Sequence, residues 1–205
     1  MSEYSRRAVH ATGVGMPLIY LLGVVSWDQL RLFMIGVTLI VFGLEFLRLV
    51  VGINHRIYDE LTRAYEQDSV AGYALYMTSM TVVALLFGPV VALPAILMLA
   101  LGDPVSGMLG KNGPHEHKRL GVVAVMFVVC VLLAAPFTIP WAGVAIGAVA
   151  AAVGGVLAAV ADGVKPIIRG VAVDDNLTIP PAAAVGIAGV FWLAGVDTGI
   201  DPFGF

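Results

Sequence analysis

An all-α, polytopic integral membrane bundle is the fold class this sequence predicts, on three observations. Hydrophobic residues make up 60% of the 205 positions and charged residues only 12%, with a mean hydropathy of +0.96. A soluble domain carries about a quarter charged residues. The apolar runs recur along the whole chain, which excludes a single anchor on a soluble domain. The basic residues also fall almost entirely on one set of alternate links, as the positive-inside rule requires of a multi-pass protein.

Seven spans are expected, at about 8–25, 31–52, 70–87, 89–109, 120–137, 141–162 and 178–196. Only helices satisfy their own backbone in lipid, and runs of this length do not resemble barrel strands. The first run lacks a small-residue cleavage site and leads into further spans, so it reads as a membrane helix rather than a removable signal. Gly88-Pro89 divides the continuous apolar stretch from Ala71 to Leu101 into two hairpin-related helices, and Pro136 to Pro140 is expected to divide the fifth span from the sixth. Gly143-x3-Gly147 and Ala150-x3-Gly154 permit close helix packing in the sixth. The whole chain, 1–205, reads as one transmembrane domain with no soluble module.

With the N-terminus cytoplasmic, Arg6, Arg7, Arg48, Arg56, Arg63, Lys111, Lys118, Arg119, Lys165 and Arg169 all lie inside, and only Arg31 lies outside, beside Trp27 and Asp28. The C-terminus is then outside. The acids share this bias, which the rule does not explain. Glu45, Asp59, Glu60, Glu66, Asp68, Asp103, Glu116, Asp162, Asp174 and Asp175 fall at or near the same ends of the spans. Chemistry is therefore expected on the cytoplasmic face of the cell membrane. The lone Cys130, inside an apolar run, reads as core filler.

The stretch LALGDPVSGMLGKNGPHEHKRLG, residues 99–121, is the most informative. The apolar run from Gly88 to Leu101 is too short to cross, so the fourth span must continue through Gly102-Asp103-Pro104 toward Leu109. Asp103 is thereby placed below the interface, where proline denies a helical hydrogen bond and an ionised acid is costly unless partnered. Gly107, Gly110 and Gly113 let a backbone approach phosphates, and Lys111, Lys118 and Arg119 neutralise them. The loop is no Walker A motif, since Val105 stands at the first glycine position and Asn112 follows Lys111. His115-x-His117, with no cysteine nearby, has poor zinc spacing.

VDDNLTIP, residues 173–180, opens the last span with two acids and an amide. A helix cap needs one such residue. Three oxygen-bearing side chains suit a hard cation such as Mg2+, which takes one or two carboxylates and leaves its other positions to water and substrate phosphate. Glu45-x2-Arg48 has the spacing of a local ion pair, although an acid inside an apolar run is also a candidate for function.

In order along the chain, Arg6-Arg7-x2-His10, Glu45-x2-Arg48, Arg63-x2-Glu66, Gly102-Asp103-x2-Ser106-x3-Gly110-Lys111, Lys118-x2-Gly121 and Asp174-Asp175-Asn176-Leu177-Thr178-Ile179-Pro180 resemble the dolichol kinase and phytol kinase family. These are integral-membrane, CTP-dependent lipid kinases, broadly related to the phosphatidate cytidylyltransferases. The resemblance runs from Arg6 to about Val185. Where the family often carries a carboxylate before the last cytoplasmic loop, this chain has Asp162, followed by Lys165 rather than a second acid.

The resemblance implies CTP-dependent phosphorylation of a long-chain isoprenoid alcohol, dolichol-like or polyprenol-like, at the cytoplasmic face. Asp103, Asp174 and Asp175 would be the magnesium ligands and catalytic acids. Gly107, Gly110, Lys111, Lys118, Arg119 and Asn176 would hold the nucleotide. CTP as donor comes from the resemblance alone. A cytidylyltransferase acting on a lipid phosphate needs the same triphosphate clamp and is the alternative. A small transporter fits less well, because the outer half of the bundle holds essentially no charge. The expected partners are CTP, the lipid alcohol and membrane lipids, with no nucleic acid.

Overall fold

The computed structural model describes residues 10–53, 55, 58, 62, 66–110, 117–164, 167–168 and 171–198. It is helical, and four of its helices are long and apolar enough to cross a membrane: Trp27–Leu49, Pro89–Leu109, Leu120–Gly163 and Asp175–Leu193. Thr12–Leu21 and Gly72–Leu86 are apolar but shorter. Many large side chains on the outer faces, such as Leu39, Ile40, Leu132, Val144 and Val185, are more than half exposed, an apolar surface that a bilayer covers.

A 3-10 turn over Thr12–Val14 leads into α1, Gly15–Leu21. Helix α2, Trp27–Leu49, begins earlier than the apolar pattern indicates because Ser26 and Gln29 form a capping box: the Ser26 hydroxyl accepts from the Gln29 N–H while the Gln29 side chain accepts from the Ser26 N–H. Helix α3, Gly72–Leu86, runs antiparallel to α2, and the Thr38 and Thr81 hydroxyls meet at 2.8 Å between them. Phe87 is extended, Gly88 precedes the next helix and Pro89 occupies its first turn, so the expected division at Gly88-Pro89 is present.

The fourth expected span continues past Leu101, as the length argument requires. Helix α4, Pro89–Leu97, passes into a π turn, Met98–Gly102, and then into α5, Asp103–Leu109. The wider turn lies just ahead of Pro104, whose ring and missing N–H disturb the preceding turn of an α-helix.

Helix α6, Leu120–Gly163, consists of two helical arms joined at a non-helical residue, and the chain reverses between them. Gly143 adopts φ 79°, ψ 166°, a backbone open to glycine and strained for other residues. The two arms then run antiparallel. The Thr138 hydroxyl donates to the Gly147 carbonyl at 2.8 Å, and the sites of Gly155 and Gly163 face Cys130 and Val123. The reversal is thus at Gly143, not at Pro136 to Pro140, which stay helical. Gly143 serves as the turn rather than as a packing surface. Two-residue strands, β1 Ile167–Ile168 and β2 Val171–Ala172, pair antiparallel, the one departure from an all-helical reading among the described residues.

Helix α7, Asp175–Leu193, closes the bundle. A Cβ on its Gly186 would stand 3.1 Å from Gly154 Cα, so the helix lies almost backbone to backbone on the second arm of α6. The core between α3, α4, α6 and α7 holds many small or flexible side chains, among them Ala95, Met98, Met126, Ala158 and Ala184. The bundle has two unlike ends. One gathers Tyr20, Pro89, Phe137, Pro140 and Trp141, with Asp197 at its edge, around a mostly apolar pocket of about 740 Å³. The other gathers the acids.

Candidate functional site

Three acids from three helices meet at the polar end. Asp103 opens α5, Asp162 closes α6 and Asp175 opens α7, and one carboxylate oxygen from each lies within 4.8 Å of the other two. Asp162 is fully buried, Asp175 is 5% exposed and the Asp103 side chain is 21% exposed. Two like charges at that separation repel by about 3 kcal/mol at an effective dielectric near 20. The group therefore needs cations.

Lys118 supplies one. Its Nζ donates to Asp162 Oδ1 at 2.5 Å and to Ser106 Oγ at 3.0 Å, and lies 3.8 Å from Asp103 Oδ1. Ser106 donates in turn to Asp162 Oδ2 at 2.5 Å. The backbone supports this placement, since the Lys118 N–H bonds the Gly163 carbonyl at 3.1 Å and so fixes the entry of α6 beside its own exit. Among the described residues, and with His10 neutral, the three carboxylates and the Lys118 ammonium sum to minus two, a charge that suits a divalent cation.

The donor set fits such an ion. Oxygen ligands to Mg2+ sit at about 2.0–2.1 Å and to Ca2+ at about 2.3–2.6 Å, so opposed ligands stand about 4–5 Å apart. The three carboxylates match that spacing with little adjustment. One residue further along α7, Asn176 Oδ1 is buried with no hydrogen-bond partner among the described residues, while its amide nitrogen faces Gly72 near Glu66. The Asn176 carbonyl is held by the Ser79 hydroxyl at 2.5 Å, which anchors the start of α7 on α3.

The residues expected from the sequence distribute as follows. Asp103 and Asp175 come together. Asp174 does not join their group: it caps α7, its Oδ1 accepting from the Asn176 N–H at 2.9 Å, and its Oδ2 faces Gly72 near the Glu66 carboxylate. The third acid is Asp162. Gly107 lies within α5, and Gly110 ends that helix in an extended conformation against Ser106 and Lys118. Lys118 is bound into the acid group rather than standing apart from it. Arg119 is exposed and precedes α6. Lys111, Gly113, His115, Arg6, Arg7 and Arg63 lie outside the described residues.

His10, Ser106 and Asp162 are the site residues the sequence reading did not place there. Asp162 was visible by the criterion that selected Asp103, an acid inside an apolar run. His10 Nε2 lies 3.8 Å from Asp103 Oδ2, and the Tyr76 hydroxyl donates to the His10 carbonyl at 3.0 Å.

Glu45 belongs to a separate network. Arg48 Nε and Nη2 bind the two Glu45 oxygens at 3.0 and 2.7 Å, while its other donors reach the carbonyls of Glu66, Gln67 and Ser69. Glu45 also accepts from the Ala71 N–H at 3.0 Å and from the Tyr73 hydroxyl. All five guanidinium N–H groups are used.

Comparison with known protein families, curated proteins and solved structures finds no match.

Proposed function

We propose that this chain is a multi-pass membrane lipid kinase that transfers the γ-phosphoryl group of CTP to a long-chain isoprenoid alcohol, with its polar end facing the cytoplasm. The observation that carries the reading is the convergence of Asp103, Asp162 and Asp175 on one point, with Lys118 among them. The choice of CTP and of an isoprenoid acceptor rests on the motif resemblance. The seven-span topology, with the N-terminus inside, rests on the distribution of basic residues.

Phosphoryl transfer is mainly positioning and charge neutralisation. Asp103, Asp162 and Asp175 would hold a magnesium ion, and Asn176 would bind the nucleotide or the metal; when bound, the ion offsets the charge of the triphosphate. Lys118, already among the carboxylates, has the flexible stem needed to turn from Asp162 toward a phosphate oxygen. The acceptor hydroxyl attacks the γ-phosphorus, the bond to the bridging β–γ oxygen breaks, CDP leaves, and the hydroxyl proton passes to a carboxylate of the group. The apolar helix faces receive the lipid tail, so the chemistry needs no soluble domain.

Incubation of the purified protein in nanodiscs with γ-labelled CTP or ATP, Mg2+ and a panel of polyprenol, phytol, geranylgeraniol and diacylglycerol tests this. Label is expected on an isoprenoid alcohol with CTP as donor. Pyrophosphate release with a lipid phosphate as acceptor indicates nucleotidyl transfer instead. No transfer to any alcohol contradicts the reading.

A further inference from the structure

The π turn leaves a carbonyl without a donor. In an α-helix the Leu99 carbonyl accepts from the Asp103 N–H, but here that N–H bonds Met98 instead. The donor one residue further on, as a π turn requires, is residue 104, and Pro104 has no N–H. Leu99 is fully buried, so an unsatisfied carbonyl there carries the cost of a lost hydrogen bond.

His10 fills the gap. Its Nε2 lies 3.2 Å from the Leu99 oxygen. A carbonyl only accepts, so Nε2 carries the hydrogen. The same nitrogen lies 3.8 Å from Asp103 Oδ2. The imidazole is itself held in place: Tyr76 donates to the His10 carbonyl, and the two rings meet edge to face with centroids 4.3 Å apart. Gly13 keeps this contact possible, because a Cβ there would stand 1.8 Å from the Tyr76 hydroxyl oxygen.

We infer that His10 is a positioning residue: by donating to Leu99 it stabilises the π turn that opens α5, and so fixes where Asp103 points within the carboxylate group. The effect on cation binding rests on the reading of that group as a cation site; the hydrogen-bond substitution does not. The N-terminal segment thereby becomes a structural part of the polar end.

The test uses full-length protein in nanodiscs, with thermal unfolding and Mn2+ binding by electron paramagnetic resonance as separate readouts. His10→Phe keeps the ring and removes the donor. His10→Gln keeps an N–H close to the Nε2 position. Pro104→Ala restores a backbone donor, either from residue 104 in a π turn or from Asp103 if the turn relaxes to α. His10→Phe is expected to lower the Tm by several degrees and to weaken Mn2+ binding about tenfold, whereas His10→Gln stays within about twofold of the unsubstituted protein in affinity. In the Pro104→Ala background, His10→Phe is expected to lose most of its effect on Tm.

Equal Tm losses in the two backgrounds, or His10→Gln behaving as His10→Phe, overturn the inference. No Mn2+ bound by the unsubstituted protein counts instead against the cation site, and the Tm comparison then decides the role of His10.

Discussion

The polar end of the bundle holds two buried ionic networks that differ in how completely they are satisfied. Around Glu45, both carboxylate oxygens and all five donors of Arg48 have partners, and those partners are largely the backbone of residues 66–71. That network closes on itself and pins the entry of α3 to the end of α2. Around Asp103, three acids converge, and Lys118 pairs with two of them, Asp103 and Asp162; the Asn176 amide oxygen on the same helix as Asp175 has no partner among the described residues. Nature tolerates buried charge in either form, but only the second leaves something for a ligand to complete. A balanced network is a clamp; an unbalanced one is a site.

The largest expected effect separates the two directly. Glu45→Ala strands a buried guanidinium, and should cost about 3–5 kcal/mol of stability, read as a fall of about 10 °C or more in thermal unfolding. Asp103→Asn should do the reverse. It removes like-charge repulsion while keeping side-chain shape, so the Tm holds or rises, yet turnover falls by about a hundredfold or more in the labelled-CTP assay. If Asp103→Asn unfolds the protein as Glu45→Ala does, the two networks are alike and the distinction fails.

Lys118→Met sharpens the comparison from the other side. With three acids and no lysine, stability should drop by about 3 kcal/mol. Mg2+ at about a hundredfold over its Kd should then restore about 2.7 kcal/mol. Thermal unfolding with Mg2+ and with EDTA checks this, and a loss that Mg2+ does not restore counts against cation binding by the acid group. The smallest effect belongs to Tyr73→Phe, which removes one hydrogen bond from the Glu45 clamp. It should cost about 1 kcal/mol and leave cation affinity unchanged.

Much of this arrangement was legible in the chain, for reasons that differ from residue to residue. The apolar run before Asp103 is too short to cross a bilayer, and that arithmetic places the acid inside the helix correctly. Gly88-Pro89 marks a helix boundary because proline suits a first turn. The reversal at Gly143 was misplaced to Pro136–Pro140, since proline is the stronger signal in a sequence, yet these prolines sit in the helix and the positive φ at Gly143 turns the chain. Asp174 and Asp175 are indistinguishable as letters; only the helix start assigns one to the cap and the other to the acid group. Asp162 is visible in the sequence as an acid at a cytoplasmic span end, but only the fold brings it to Asp103 and Asp175. The Glu45–Arg48 pair is readable from its i,i+3 spacing, but the other Arg48 partners are backbone carbonyls, and no side-chain pattern encodes those. The role of His10 depends on a π turn and a missing proline N–H about ninety positions away, which only the folded chain brings together.

Mn2+ binding to the purified protein, to Asp103→Asn and to Tyr73→Phe tests the central claim most directly. The account predicts a tightly held Mn2+ in the unsubstituted protein and in Tyr73→Phe, and its loss in Asp103→Asn with folding intact. Equal binding by all three, or none by the unsubstituted protein, would contradict it.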